Sequence, residues 1–487
     1  MKNIDVLRTY FSYDNFLGEQ EQIINYVVED KKNCLILMPT GSGKSLCYQI
    51  PALIFPEGTL VVSPLIALMQ DQVAALKRKN IPAEFINATL SREQKEKNLD
   101  AFISGKIKLL YVTPERFRNA DFVNKIKNKK ISLLAVDEAH CISEWGHDFR
   151  PDYSRLGEFR QIINNPLTIA LTATATHDVQ EDILNKLNIS GSKIFHQGIK
   201  RPNLRLEAIE VDDDKQKLNK IVKVLKEHPG SGIIYFALIK TLEEFSQHLL
   251  DKGIKHKVYH GKLKDTERSR MQKEFINSSN VIMLATNAFG MGIDKPDIRF
   301  VIHAEVPSSI ESYYQEIGRA GRDGKDSICL LIYNQQDLYT QMDFIKWSNP
   351  SSDFYYALYD LLQRDIHQAN SIGLEYLREN LNFKNKKDFR LETALGMLDR
   401  YGVTEGSIED KNLVLVDDLP EQLTDEEFLK DKLMNNNKKL LSVVNYFRTE
   451  KCRRVFISEY FGFHDEKDCN NCDVCEENEL KSNGFPN

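Results

Sequence analysis

The chain has 487 residues, 41% hydrophobic and 28% charged, with a net charge of −6. That length allows roughly three or four domains of about 150 residues each, with the composition of a globular protein. No run of about 18 apolar residues occurs and Met1–Asp5 lacks a signal-peptide apolar region, so the reading excludes a membrane span and a secretion signal. The acidic sum leaves the partner class open, because it averages away any local basic groove.

The first chemical signal follows an apolar, strand-like run at Asn33–Leu37. There Met38-Pro39-Thr40-Gly41-Ser42-Gly43-Lys44-Ser45 leads into a helical stretch. In a loop spanning Thr40, Gly41, Ser42 and Gly43, the two glycines let backbone N–H groups approach phosphate oxygens, with a helix N-terminus behind them. Lys44 then reaches the β- and γ-phosphates, and the Ser45 hydroxyl holds Mg²⁺. Met38 stands where the full pattern has glycine.

Ile131–Val136 is short, apolar and rich in β-branched residues, and reads as a buried strand. Asp137 and Glu138 follow at its C-terminal end, where open α/β sheets bind ligands. Asp137 fits as the second Mg²⁺ anchor, and Glu138 as the group that orients and deprotonates an attacking water. Beyond them, Ser143–Pro151 crowds Trp145 and Phe149 among charges. Aromatic rings stack on unpaired bases for about 1–3 kcal/mol each, and Arg150 adds attraction for phosphate. The alternative is that both rings are core, and that His140 is an ordinary packed histidine.

From about Arg205 a second α/β pattern begins. Ile233–Phe236, Val281–Leu284 and Phe300–His303 are strand-like, with no second phosphate loop, and Arg319 and Arg322 lie three apart in a Gly-rich turn. Further on, Phe354–Ile366, Ser371–Leu381 and Phe389–Tyr401 read as helices. Gly402–Gly406 and Leu413–Val416 read as a two-stranded wing. Winged helices commonly contact duplex DNA, and the same unit also docks proteins. Cys34, Cys47, Cys141 and Cys329 are scattered singly, but Cys452, Cys469, Cys472 and Cys475 cluster, enough to close a tetrahedral structural Zn²⁺ site. Lys438, Lys439, Arg448, Lys451, Arg453 and Arg454 beside them, like the wing, are candidates for duplex contact.

The stretches PTGSGKS (39–45), SPLIALMQDQ (63–72), TPER (113–116), DEAH (137–140), LTATA (171–175), ATNAFGMGIDKP (285–296) and QEIGRAGRDG (315–324) stand in an order that resembles RecQ-family DNA helicases of superfamily 2. The resemblance covers most of the chain. It implies an α/β fold with two RecA-like parallel-sheet lobes, followed by a winged-helix domain and a small four-cysteine zinc-binding module. The expected division is an ATP-binding lobe at 1–205, a second lobe at 206–345, the winged helix at 346–420, and a helical hairpin with the zinc module at 421–487.

By the same resemblance, ATP with Mg²⁺ lies between the lobes, with Asp294 and Gln315 at the nucleotide. Arg322 is the first and Arg319 the second choice for an arginine facing the γ-phosphate. Ser63, Thr113, Trp145, Phe149 and Arg150 meet DNA, and the aromatic loop couples DNA to hydrolysis. Tyr13 and Gln20 match the family's grip on adenine, but Leu17 stands where the family has arginine, which withdraws the cationic contribution. In a second departure, the winged helix precedes the zinc module, and the chain ends soon after Cys475, a short form without an extra C-terminal helical domain.

The implied activity is ATP-dependent 3′–5′ DNA unwinding by translocation on single-stranded DNA, in recombination and repair. The implied partners are single-stranded and forked DNA, with a single-strand-binding protein or topoisomerase, and no membrane. The resemblance further implies a monomer, cytoplasmic and nucleoid-associated in a bacterium. A DEAD-box-like RNA helicase is disfavoured by Asp-Glu-Ala-His, by Gly-Arg-Ala-Gly-Arg and by the cysteine module. A DNA-binding scaffold with an inactive motor is disfavoured by the joint presence of Lys44, Asp137, Glu138, Gln315 and Arg322.

Overall fold

The computed structural model describes residues 2–39, 41–146, 148–196, 201–290, 293–381, 388–464 and 467–482; Thr40, assigned to the phosphate loop, lies outside them. The first sheet comprises β1 (Cys34–Leu37), β2 (Gly58–Val62), β3 (Ala83–Ile86), β4 (Leu109–Val112), β5 (Ile131–Val136), β6 (Leu167–Thr172) and β7 (Lys193–His196). Their order is β3-β4-β2-β5-β6-β1-β7, and every pairing is parallel. Parallel strands need crossover helices on both faces, so β1 and β4 read as unbroken apolar runs rather than alternating ones, and β2 and β5 are interrupted only by the small polar side chains of Thr59 and Ser132. Two apolar clusters, one on each face, make the core of this lobe.

The second sheet is built the same way from β8 (Leu204–Glu210), β9 (Ser231–Tyr235), β10 (Lys257–Tyr259), β11 (Ile282–Ala285), β12 (Ile298–His303) and β13 (Ser327–Tyr333). Its order is β10-β11-β9-β12-β13-β8, again all parallel, which leaves β8 at one edge.

After the helix Gln335–Ser348 comes a small helical domain. Its helices are Ser352–Ile372, Leu374–Asn380 and Arg390–Arg400, and its wing pairs β14 (Thr404–Glu405) with β15 (Val414–Leu415) antiparallel. The first helix runs past Ile366, where the sequence pattern ended it, with a kink at Asp365, whose φ/ψ of −132°/30° leaves the helical region. This domain has its own core, including Tyr355, Leu358, Leu391 and Leu398.

The long helix Glu426–Arg448 follows. Asp425 caps it by accepting from the N–H groups of Glu427 and Phe428. The four-cysteine segment shares a core with the second lobe, where Cys452, Ile457, Phe461 and Cys472 pack with Tyr313, Tyr314 and Tyr446. It also lies along β8: Leu206 bridges to Cys472, Ala208 N–H donates to Asp473 Oδ2 at 2.8 Å, and Arg205 pairs with Glu476. Among the described residues, no helix is long and apolar enough to cross a membrane.

Candidate nucleotide and nucleic-acid site

The loop after β1 turns back through Gly41 (φ 81°) and Gly43 (φ 76°), a backbone region that side-chain-bearing residues rarely adopt. Ser45 then stands at the N-terminus of the helix Leu46–Ile54. Lys44 Nζ is buried and has no hydrogen-bond partner. A buried ammonium without partners is costly, so the loop is shaped for an anion. On the other side of the cleft, the Arg322 side chain lies against the loop: a Cβ on Gly41 would come within 3.0–3.1 Å of it. Arg322 Nε is also buried without a partner, while its Nη1 donates to Ile293 O at 3.0 Å and Asp294 Oδ1 at 2.7 Å.

Asp137 and Glu138 stand at the C-terminal end of β5. Glu138 has φ 48°, unusual for a residue with a side chain, and its N–H donates to Asp137 Oδ1 at 3.1 Å. Burial, reinforced by Glu138, pushes the Asp137 carboxyl up to about 7 while Lys44 pulls the other way. Glu138 Oε2 is buried and has no hydrogen-bond partner, with His140 Nδ1 3.4 Å away. Two carboxyls crowded out of water in this way suit a divalent cation, so the residues present fit Mg²⁺ with a nucleotide. His140 Nδ1 lies 2.9 Å from Thr172 Oγ1 in the LTATA stretch, and burial holds its imidazole down to about 4. Thr172 O in turn accepts from Met38 N–H at 3.1 Å. The three motifs thus meet at the C-terminal ends of neighbouring strands β5, β6 and β1.

Of the other expected nucleotide contacts, Arg319 is buried in the second lobe with its guanidinium on Gly290 O. It is not brought to the phosphate loop, whereas Arg322 is. The Asp294 side chain is 88% exposed and holds Arg322. Gln315 is half-buried in the helix Ile310–Ile317. Gln20 is 1% exposed; its Nε2 donates to Ser42 O and Gly43 O, and its Oε1 accepts from Leu17 N–H. Tyr13 and Leu17 are 56% and 63% exposed.

Ser63 and Thr113 follow β2 and β4 on the sheet edge that carries Asp137, and both are buried. Arg150 pairs with Asp148 at 3.2 Å and donates to Pro64 O at 3.0 Å, tying the aromatic loop to the segment after Ser63. The loop is tight at Gly146, where a Cβ would clash with His140 O at 2.6 Å. Trp145 is half-buried against the lobe core and 6.0 Å from the Phe428 ring, and Phe149 is 6.5 Å from the Tyr401 ring. Neither ring is a fully buried core side chain; each packs against the C-terminal third.

Three of the basic positions expected to face duplex DNA turn inward instead. Lys439 Nζ donates to Trp145 O at 2.6 Å and Gly146 O at 2.9 Å. Arg453 pairs with Asp473 and donates to Tyr446 O at 2.7 Å, and Arg454 donates to Arg201 O and Leu204 O at 3.0 Å. Lys451 is paired with Glu459. Cations that cap carbonyls inside the fold are not free to meet phosphate.

Tyr153 stands out in the sequence only as a third aromatic after Trp145 and Phe149. Its role, a hydroxyl donating to Asp137 O at 3.0 Å, has no sequence signal, and neither has Arg118, which holds Asp152 at 2.6 Å. Both contacts depend on distances that only the fold sets.

The sulfurs of Cys452, Cys469, Cys472 and Cys475 all lie within 4.8 Å of one another, and none is in a disulfide. Backbone N–H groups of Cys469, Asn471 and Cys475 point at three of these sulfurs, at 3.3–3.4 Å. Four thiols with N–H donors around them fit a closed, structural Zn²⁺ site.

Three family models match the chain: DEAD/DEAH box helicase over residues 18–183, helicase conserved C-terminal domain over 216–324, and RecQ zinc-binding over 419–476. The chain is 34% identical to the ATP-dependent DNA helicase RecQ of Pasteurella multocida, over 97% of its length and 62% of the relative's. It is 42% identical to the RecQ of Bacillus subtilis (strain 168), over 70% of its length and 58% of the relative's. To the protein named Probable ATP-dependent DNA helicase RecS, from the same strain, it is 37% identical, over 76% and 75%. It therefore spans about three fifths of the length of those two RecQ relatives. Among solved structures, Mss116p bound to ssRNA and AMP-PNP matches with a TM-score of 0.56 at 16% identity, over 91% of this chain and 89% of that one. Mycobacterium smegmatis helicase Lhr bound to ssDNA and AMP-PNP matches with 0.53 at 18%, over 90% and 61%. At such identities these two describe the fold alone.

Proposed function

The chain belongs to the RecQ family of helicases, and on that premise we propose that it is an ATP-driven motor that separates DNA strands. One observation carries the reading. Buried, unpartnered polar atoms from both lobes, Lys44 Nζ, Glu138 Oε2 and Arg322 Nε, gather around a loop shaped for phosphate.

In this reading Lys44 and the N–H groups of the Gly41–Ser45 loop hold the phosphates, and Ser45 and Asp137 hold Mg²⁺, which supplies charge neutralisation to the γ-phosphate when bound. Glu138 takes the proton of the attacking water. Tyr153 fixes the carbonyl of Asp137, keeping the acid pair in register with β5. Arg322, presented by the second lobe and steadied by Asp294, meets the charge that develops as the bond to the γ-phosphate breaks. Gln315 sits in the helix that ends just before this arginine turn. Zinc is structural, held by Cys452, Cys469, Cys472 and Cys475.

The same reading extends to DNA. The loop carrying Trp145, Phe149 and Arg150 begins five residues after Glu138, so strand engagement is felt at the hydrolytic acid; Ser63 and Thr113 sit beside it. The substrates are single-stranded and forked DNA, travel is 3′ to 5′, and the setting is recombination and repair, at the nucleoid in a bacterium. The working unit is a monomer that meets a single-strand-binding protein or a topoisomerase. The two separate sheets, the separate core of the helical domain and the zinc-binding match beginning at residue 419 support four units. The expected cuts at 205/206 and 345/346, however, fall inside β8 and inside the helix Gln335–Ser348. The first two divisions are better placed before Leu204 and after Ser348, with the third near 420.

ATP turnover measured with single-stranded DNA, with RNA and with neither tests the reading. DNA-specific stimulation, with unwinding of forks bearing a 3′ but not a 5′ tail, is expected. Equal stimulation by RNA would favour an RNA helicase, and no turnover a scaffold.

A further inference from the structure

The aromatic loop is held by the C-terminal third through its backbone, its rings and its base. Lys439, only 9% exposed, places its ammonium between the carbonyls of Trp145 and Gly146, and Asn435 Nδ2 adds a donor to Trp145 O at 3.4 Å. Phe428 on the same helix meets the Trp145 ring, and Tyr401 of the helical domain meets Phe149. Beneath the loop, Arg118 grips Asp152 and donates to the carbonyls of Asp399 and Arg400, groups left open where the helix Arg390–Arg400 ends.

The charge of the wing argues against the more obvious role for the helical domain, duplex binding through that wing. Its wing carries Glu405, Glu409, Asp410, Asp417 and Asp418 against Lys411 alone, and all six are exposed. Duplex binding rests on neutralising phosphates with Lys and Arg, and a wing so acidic repels them. What the domain touches is protein: the segment that links hydrolysis to the strand.

We propose that the helical domain 352–424 and the helix Glu426–Arg448 form a latch on the aromatic loop, competing with single-stranded DNA for Trp145 and Phe149. The proposal rests on the reading of that loop as the DNA sensor. Phe428 and Tyr401, tilted at 58° and 48° to the two rings, occupy ring surface that a stacked base would otherwise take. An aromatic pair contributes about 0.5–1.5 kcal/mol beyond its buried area, and a stacked base about 1–3 kcal/mol. The two states are therefore close in energy, and strand binding tips the balance. Apparent DNA affinity is lowered by the fraction of molecules that are latched, so weakening the latch strengthens DNA binding without touching the chemistry.

The experiment uses the full chain with Tyr401→Ala and Phe428→Ala together, neither of which is placed at the nucleotide. The oligothymidine concentration giving half-maximal ATPase should fall about five-fold, with the rate at saturating DNA unchanged. An unchanged or higher requirement overturns the latch. Absence of DNA stimulation in the parent overturns the DNA-sensor reading and the latch with it. Should the double variant lose zinc or melt early, Lys439→Met repeats the test with the rings intact and the same fall expected. Hydrogen exchange on the parent needs no variant: oligothymidine should raise exchange at 399–402 and 428–436. Unchanged or slower exchange there overturns the proposal.

Discussion

Glu138 is held in a left-handed backbone turn, with one carboxylate oxygen buried and without a hydrogen bond. In the proposed mechanism that strain is tolerated because the oxygen is aimed where a water must be deprotonated. Glu138→Gln should retain Mg·ATP binding and lose about 10²–10⁴ in DNA-stimulated turnover, measured by phosphate release; near-normal release would remove Glu138 from this role. At the base end of the nucleotide the residues foretell laxity. Both N–H bonds of the Gln20 amide are committed to Ser42 O and Gly43 O, and Leu17 offers no charge. Strong rejection of a wrong substrate needs buried polar groups left unpaired by it, and stacking on Tyr13 supplies none. GTP should be hydrolysed with a kcat/KM within about ten-fold of ATP, and Leu17→Arg should widen that ratio. A parent that discriminates against GTP by about 10³ or more would show Gln20 leaving the phosphate loop to read the base.

The individual elements differ in how far the sequence foretold them. β5 spans Ile131–Val136, the stretch expected, and β1 lies within Asn33–Leu37, because apolar β-branched runs in a parallel sheet are buried on both faces and have no second reading. The phosphate loop, the acid pair and the cysteine cluster were equally plain, since each keeps its chemistry within a few residues. Partners were not. Nothing in Ser143–Pro151 hints at Phe428 or Tyr401, more than 250 residues away, and Lys439, Arg453 and Arg454 read in the sequence as candidates for duplex contact, whereas in the fold distant carbonyls hold them. The wing divides in the same way: its strands lie within the stretches expected, while the acids around it argue against the duplex contact expected of it. Lys411→Ala should leave both fork affinity and the slope of log affinity against log salt unchanged. A slope smaller by about 0.7–0.9 would restore the wing as a phosphate contact.

For the molecule as a whole, the order of motifs anticipated two parallel sheets with nucleotide chemistry between them, and the zinc module proved to be the piece that joins parts. Phe463 of this module packs against the cores of both lobes, and its ring lies 4.9 Å from His196. Four-thiolate zinc contributes roughly 10–16 kcal/mol apparent in small modules, more than most domains have to spare. Elemental analysis should find about one zinc per chain, and Cys472→Ser should give unstable or insoluble protein. A metal-free chain with unchanged melting would refute a structural zinc.

The position of that module beside β8 sets how the protein should fail. β8 is the last strand of its sheet, and its outer backbone is covered by Cys472 and Asp473 rather than by another strand. An uncovered edge strand is a template for pairing with a neighbouring chain, and Arg205, Glu207 and Glu210 are the charges along β8 that oppose it. Stripping the metal should therefore produce association rather than a quiet monomeric unfolding. Light scattering after chelation should rise with a rate that climbs steeply with protein concentration, and arginine or lysine placed at Ala208 should slow it. On this reading a zinc bound there would also guard against self-recognition, keeping a motor that must open its lobes from opening its sheet.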